Sequence, residues 1–294
     1  MLNSPSFQIV RPAPATAPLL RVQGVSLEYR SPERTVRATH QVSFDVFRGD
    51  RFVLLGPSGC GKSSLLKAVA GFVAPQEGSI DLDGRPVTRP GPERMVVFQE
   101  FDQLPPWKTV LENVMFPLLA TRSLARGAAR ERALDWIHKV GLDGFEHAHP
   151  HTLSGGMKQR VAIARALAMQ PDILLMDEPF AALDALTRRK MQEELGRLWQ
   201  ENRFTLLFVT HSIEEALVVG NRILLLSPHP GWVRAELNSH QFGLHSAGGA
   251  EFQAATRRIH GMLFDEEPAA VKAAAVAVAA VAVAAAAPAH GVAS

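Results

Sequence analysis

Apolar and polar positions alternate along residues 20–29, with Val25, Leu27 and Tyr29 on one face, a period of two that predicts a strand. Val42, Phe44 and Val46 repeat the alternation, and Gly49-Asp50 turns the chain into the apolar run Arg51–Leu55. Residues 78–82 followed by Asp83-Gly84 read as half of a hairpin, and residues 95–99 as another short strand. From about 110 to 170 the pattern is helical. Asn113, Met115 and Phe116 open one helix, and residues 130–140 form another that Gly141 stops. Beyond them lie strand runs at 171–176, Thr205–Thr210 and Arg222–Leu226, separated by helical stretches at 186–202 and Ile213–Val219. Apolar strands alternating with helices predict a parallel sheet covered on both faces. The stretch after Pro230, through 236–264, is mostly polar and reads as further helix. No internal repeat is visible.

Composition narrows this picture. A chain of 294 residues, 47% hydrophobic, has material for one large domain or two modest ones. Its 31 Lys and Arg nearly balance 29 Asp and Glu, so no strong polyanion-binding field is implied. One cysteine excludes a disulfide-stapled secreted fold. Residues 1–18 carry Pro5, Pro12, Pro14 and Pro18 without an apolar run of signal-peptide length, and read as a flexible leader. Residues 269–287 hold 13 Ala, 5 Val and Lys272. Their uncharged part, 273–287, would reach roughly 22 Å as a helix against about 30 Å of hydrocarbon, and reads as a low-complexity tail. A soluble chain is expected.

Three runs carry chemistry. Gly56, Pro57, Ser58, Gly59, Cys60, Gly61, Lys62 and Ser63 fit GxxxxGK followed by Ser, directly after a strand and, with Ser64, opening a helix. Glycines let the backbone wrap phosphates closely, and the helix turns its positive dipole end towards the anion. Lys62 is placed for the β- and γ-phosphates and Ser63 for Mg²⁺. At 173–179 an apolar strand ends in Asp177 and Glu178, at the sheet edge where ligands bind in such folds. Asp177 suits the Mg²⁺ sphere, and Glu178 could polarise an attacking water. In the third run, Leu153, Ser154, Gly155, Gly156, Met157, Lys158, Gln159 and Arg160 precede a helix, and small residues at a helix start make another anion site.

This last run resembles the signature motif of ATP-binding cassette (ABC) ATPases. The resemblance covers roughly residues 20–230. It implies an α/β fold with a RecA-like P-loop ATPase core, an N-terminal antiparallel β subdomain and an inserted α-helical subdomain at about 100–165. The ATPase domain would span 19–231, followed by an extension over 232–267 and the tail over 268–294. It also implies a head-to-tail dimer in which Ser154, Gly155 and Gly156 of one copy close over the γ-phosphate held by the other. By the same resemblance Gln99 is the Q-loop glutamine, a Mg²⁺ and water contact. Asp184 belongs to the D-loop, His211 is the switch histidine, and Tyr29 stacks on adenine. ATP and Mg²⁺ are the expected ligands.

Finer wording narrows the branch. Residues 99–114, 180–188, 210–216 and 227–231 are similar to nitrate, sulfonate and taurine importers, although Pro105 stands where Leu is expected before Pro106-Trp107. That branch implies integral-membrane permease subunits gripped around 101–122, a periplasmic solute-binding protein as an indirect partner, and a place on the cytoplasmic face of the inner membrane. No nucleic-acid partner is expected. The alternative, a soluble ABC ATPase acting on ribosomes or DNA, usually has tandem cassettes or a coiled-coil insertion; this chain has one cassette and no sustained heptads. A phosphate-loop GTPase or kinase would not use the signature run. Two further features have alternative readings: His147, His149 and His151 as metal ligands, and Cys60 as a site of redox control. Pro150 favours a plain loop for the first, and a small packed side chain explains the second.

Overall fold

A computed structural model of the chain describes residues 17–30, 35–99 and 103–264. The expected leader (but for Ala17 and Pro18), the tail at 268–294, and Phe101 of the expected permease contact lie outside them. In chain order, β1 (Leu20–Arg30) and β2 (Thr35–Val46) form a ladder, and β3 (Arg51–Leu55) leads into α1 (Lys62–Val69). The hairpin β4 (Glu77–Leu82) and β5 (Arg85–Pro86) precedes β6 (Arg94–Val97) and three helices, α2 (Val110–Ala120), α3 (Arg126–Lys139) and α4 (Gly155–Ala168). Then come β7 (Ile173–Asp177), α5 (Ala185–Asn202), β8 (Thr205–Thr210), α6 (Ile213–Val219), β9 (Arg222–Leu226), β10 (Val233–Asn238) and α7 (Ala250–Phe264).

The strands form two sheets. An antiparallel one runs β2-β1-β4-β5, and a six-stranded one runs β10-β9-β3-β8-β7-β6. In the larger sheet β9, β3, β8, β7 and β6 are parallel neighbours, and only β10 runs against its partner. Alternation across the sheet explains the uninterrupted apolar runs. Val53, Leu55, Leu174, Met176, Leu206 and Phe208 face the core shared with the helices. Phe52, Leu54, Ile173, Leu175, Leu207 and Val209 face the core under the antiparallel sheet. Both faces are buried, and each such side chain contributes about 1.5–3 kcal/mol.

Three boundaries differ from the sequence reading. The strand expected at 95–99 stops at Val97, because the Gln103 amide accepts from the Phe98 N–H (3.2 Å) and donates to the Phe98 C=O (2.9 Å), replacing ladder bonds. Helix α2 starts at Val110 rather than near Asn113, where Thr109 and Glu112 form a reciprocal capping box. The stretch after Pro230, expected to be helical, opens instead with β10. Its residues are half-buried apart from Leu237, so a polar edge strand carried no period to read. After a 3₁₀ turn at Leu244–Ser246, α-helix begins at Ala250.

Candidate functional site

Three neighbouring strands, β3, β8 and β7, end at one edge of the larger sheet and deliver the chemistry. Beyond β3 the chain turns through Gly59 and Gly61, whose φ values of 80° and 92° are left-handed. A Cβ at Gly61 would lie 2.6 Å from the Ala38 carbonyl oxygen, so the loop packs directly on β2. Lys62 is buried, and its ammonium donates to the carbonyls of Gly56 (2.9 Å) and Pro57 (2.8 Å). Cys60 is fully buried, its Sγ 3.8 Å from Lys62 Nζ. Burial pushes the Cys60 thiol up, outweighing the nearby ammonium, so the sulfur stays protonated and unreactive.

Ser63 Oγ donates to Asp177 Oδ1 at 2.7 Å, joining the start of α1 to the end of β7. Burial raises the Asp177 carboxyl above its ordinary value, opposed by the Ser63 hydrogen bond and reinforced by the Glu178 charge. Glu178 follows with a left-handed φ of 44°, a conformation that costs roughly 1 kcal/mol or more in a non-glycine residue. Its N–H donates to the Val209 carbonyl (3.0 Å), which holds the turn. From the end of β8, His211 Nδ1 lies 2.9 Å from Glu178 Oε2. An ionised carboxylate only accepts, so Nδ1 carries the proton and Nε2 is left for another partner. Behind His211, Thr210 Oγ1 donates to Glu215 Oε2 (2.5 Å) and accepts from the Ser212 N–H (3.0 Å), while Gln192 donates to Glu215 Oε1 (3.3 Å).

A cleft of about 340 Å³ opens over the loop, bordered by Tyr29, Ser58, Gly59, Gly61 to Ser64 and Glu178. Tyr29 is 44% exposed, and its hydroxyl lies 2.9 Å from Ser64 Oγ, so the ring leans over the loop rather than packing in the sheet. Gly56, Pro57 and Cys60 form the loop's base. Asp177 reaches the cleft through Ser63, and His211 through Glu178. Val36, Ala38 and His229 also border it, and the sequence reading did not single them out. For His229 a signal existed in the run Ser227-Pro228-His229-Pro230-Gly231, but its position depends on a long-range clamp. The Gly231 N–H donates to Ala38 O (2.9 Å), and its carbonyl accepts from the His40 N–H (2.8 Å).

The remaining candidates do not border this cleft. Gln99 is exposed just past β6. Ser154 caps α4, accepting from the Met157 N–H at 3.3 Å, and Gly155 and Gly156 form the helix's first turn rather than preceding it. A Cβ on Gly156 would meet Thr187 Cγ2 at 2.9 Å, so this glycine answers to packing against α5. Asp184 caps α5 through the Thr187 N–H (3.0 Å), and that side-chain contact lowers its carboxyl. Among the described residues no group of three or more His, Cys, Asp and Glu could hold a metal ion; His149 and His151 simply stack at 5.7 Å.

Known proteins are similar to this chain in sequence and in fold. The family model described as ABC transporter matches residues 39–181. The taurine import ATP-binding protein TauB of Rhizobium johnstonii is 53% identical over 205 residues, spanning 70% of this chain and 78% of that protein. The aliphatic sulfonates import ATP-binding protein SsuB of Bacillus cereus is 41% identical over 238 residues, 81% and 93% of the two chains. Among solved structures, the ATP-binding cassette MJ0796, a post-hydrolysis dimer bound to ADP and Pi, matches with a TM-score of 0.65 at 33% identity, covering 75% of this chain and 98% of its own. The cbiO1 protein from Clostridium perfringens matches at 0.67 with 27% identity, covering 76% and 90%.

Proposed function

This chain belongs to the ABC transporter family, and on that premise we propose that it is the ATP-hydrolysing motor subunit of an importer for small sulfonates of the taurine class. The carrying observation is that the Ser63–Asp177 and His211–Glu178 pairs meet at one sheet edge, beside a glycine cradle overhung by Tyr29. Triphosphate in the cradle takes backbone N–H donors from Gly59 to Ser64, with Ser58 at the rim, and Lys62 moves its ammonium from loop carbonyls to phosphate oxygens. Tyr29 supplies the stacking face for adenine.

Ser63 Oγ and Asp177 Oδ1, 2.7 Å apart, are hard oxygen donors that fit Mg²⁺, and Gln99, outside the cleft in this structure, would swing in as a third contact. An Mg²⁺ held by these residues would supply positive charge that offsets the charge of the bound phosphates. Glu178 orients and polarises the attacking water, and His211 fixes that carboxylate while its Nε2 faces the γ-phosphate.

Ser154, Gly155 and Gly156, away from the cleft on the same copy, reach a γ-phosphate in a head-to-tail dimer, with Asp184 near the seam. That is our reading of why these residues lie apart. Among the described residues no helix is long and apolar enough to cross a membrane, so we assign the pore to permease subunits. A periplasmic solute-binding protein would deliver the solute, and the motor would sit on the cytoplasmic face of the inner membrane. We retain residues 19–231 as the ATPase unit, about 100–165 as its helical part and 232–267 as an extension, with β10 of that extension completing the sheet. The alternative of a soluble ATPase on ribosomes or DNA is not favoured, because the similar proteins carry importer names.

The test is Glu178→Gln. ATP should still bind and drive dimerisation, while turnover falls roughly 100-fold or more. Unchanged turnover would remove Glu178 from this role. For the solute, reconstituted transport of taurine against nitrate decides the class.

A further inference from the structure

At the opposite edge of the larger sheet lies a second cavity, about 350 Å³, between α5, α6 and the segment after β10. Arg51, the first residue of β3, borders it. The Arg51 backbone is fixed by Asn221, whose side chain accepts its N–H (2.8 Å) and whose own N–H donates to its carbonyl (3.0 Å). The guanidinium stacks on Trp199 with 4.3 Å to the ring centroid, and Arg203 stacks on the same indole at 4.5 Å.

Among the described residues neither guanidinium has an ion pair. Asp50, one residue before Arg51, and Glu236 are both engaged by Arg222. Glu193, the one acid bordering the cavity, pairs with Arg189 at 3.4 Å. Arg51 Nε and Trp199 Nε1 are buried without a hydrogen-bond partner. His240, His245 and Gln192 add polar groups to the wall, and Leu195, Val218 and Leu244 add apolar ones. A half-buried cation without a counter-charge is unfavourable, and a second cation beside it raises the cost. An oxyanion relieves both, and the planar guanidinium fork matches it with paired N–H donors.

We propose that this cavity binds a small molecule with a tetrahedral oxyanion head, phosphate or sulfonate, anchored by Arg51. Burial and the charge of Arg203 already press the Arg51 pKa down, the direction an electropositive pocket requires. Gln192, on the cavity wall, also donates to Glu215, which holds Thr210 next to His211. The cavity wall is therefore joined, through Gln192, to the network behind His211.

The experiment titrates the full-length, nucleotide-free chain carrying Lys62→Ala, which keeps phosphate out of the glycine cradle. Inorganic phosphate and ethanesulfonate are added in separate arms, with binding read by calorimetry and by tryptophan emission. Saturable binding below about 10 mM is expected for at least one anion, and the tighter arm identifies the head group. Arg51→Gln should weaken binding about tenfold or more, Arg51→Lys should lie between, and Trp199→Phe should abolish the emission change. No saturable binding in either arm, or an affinity that survives Arg51→Gln, overturns the proposal. If Arg51→Gln misfolds by circular dichroism, the Arg51→Lys affinity decides: equal to the parent overturns, weaker supports. With no nucleotide present, failure here leaves the ATPase reading untouched.

Discussion

Glu178 and His211 illustrate how little of a reactive pair resides in either side chain alone. Removing the imidazole leaves the carboxylate in its strained backbone position without the donor that aims it. His211→Ala should therefore lower steady-state turnover by roughly 100-fold while nucleotide affinity, measured with a fluorescent ATP analogue, changes only a few-fold. Glu215, behind them, offers a pH test. Burial raises its carboxyl above the ordinary value of 4.5, outweighing the opposing hydrogen bonds from Thr210 and Gln192. The folded chain thus holds that proton more tightly than the unfolded one. Stability declines as pH climbs through the window between the ordinary and the raised value, and the penalty vanishes on acidification. A Glu215→Gln variant lacks this titration, so its Tm relative to the parent should rise as the pH climbs above the ordinary carboxylate range; a flat or falling difference would contradict it. Lys62, Ser63, Asp177 and Glu178 were legible because each motif is contiguous and follows its own strand. His229 and Glu215 were not, because only folding brings the β9–β10 turn over the cleft and places Glu215 against Thr210.

Strands and helices were read most surely where both faces or one full stripe is apolar, as in β7, β8 and β9. Misreadings came where a local bond or a sheet edge overrode the pattern. Gln103 ended β6 early, a capping box extended α2, and β10 gained its place from pairing with β9 rather than from hydrophobicity. The turn between β9 and β10 matters to the site through Gly231. A Cβ there would stand 2.0 Å from the Cys60 carbonyl oxygen, pushing the phosphate loop away from β2. Gly231→Ala should weaken nucleotide binding about tenfold while far-UV circular dichroism stays unchanged, and full affinity would show that the clamp is dispensable.

In the proposed dimer, each ATP requires the cradle of one copy and the α4 cap of the other. Complementation tests this directly. Lys62→Ala and Gly155→Asp chains should each be inactive alone and should regain turnover when mixed, because the mixed dimer rebuilds one complete site. Persistent inactivity of the mixture would rule against composite sites. The Trp107 ring, 74% exposed, together with Phe116, leaves an aromatic surface near the start of α2 where the proposed permease contact falls. The lone thiol, sealed beneath Lys62, also has a practical meaning. Since Cys60 will not meet a maleimide or an oxidant while the chain stays folded, any sulfur engineered onto the exterior becomes the sole chemical handle. Ser58→Cys and Ser154→Cys together would turn the closed clamp into a covalent tether, letting its formation be counted on a gel.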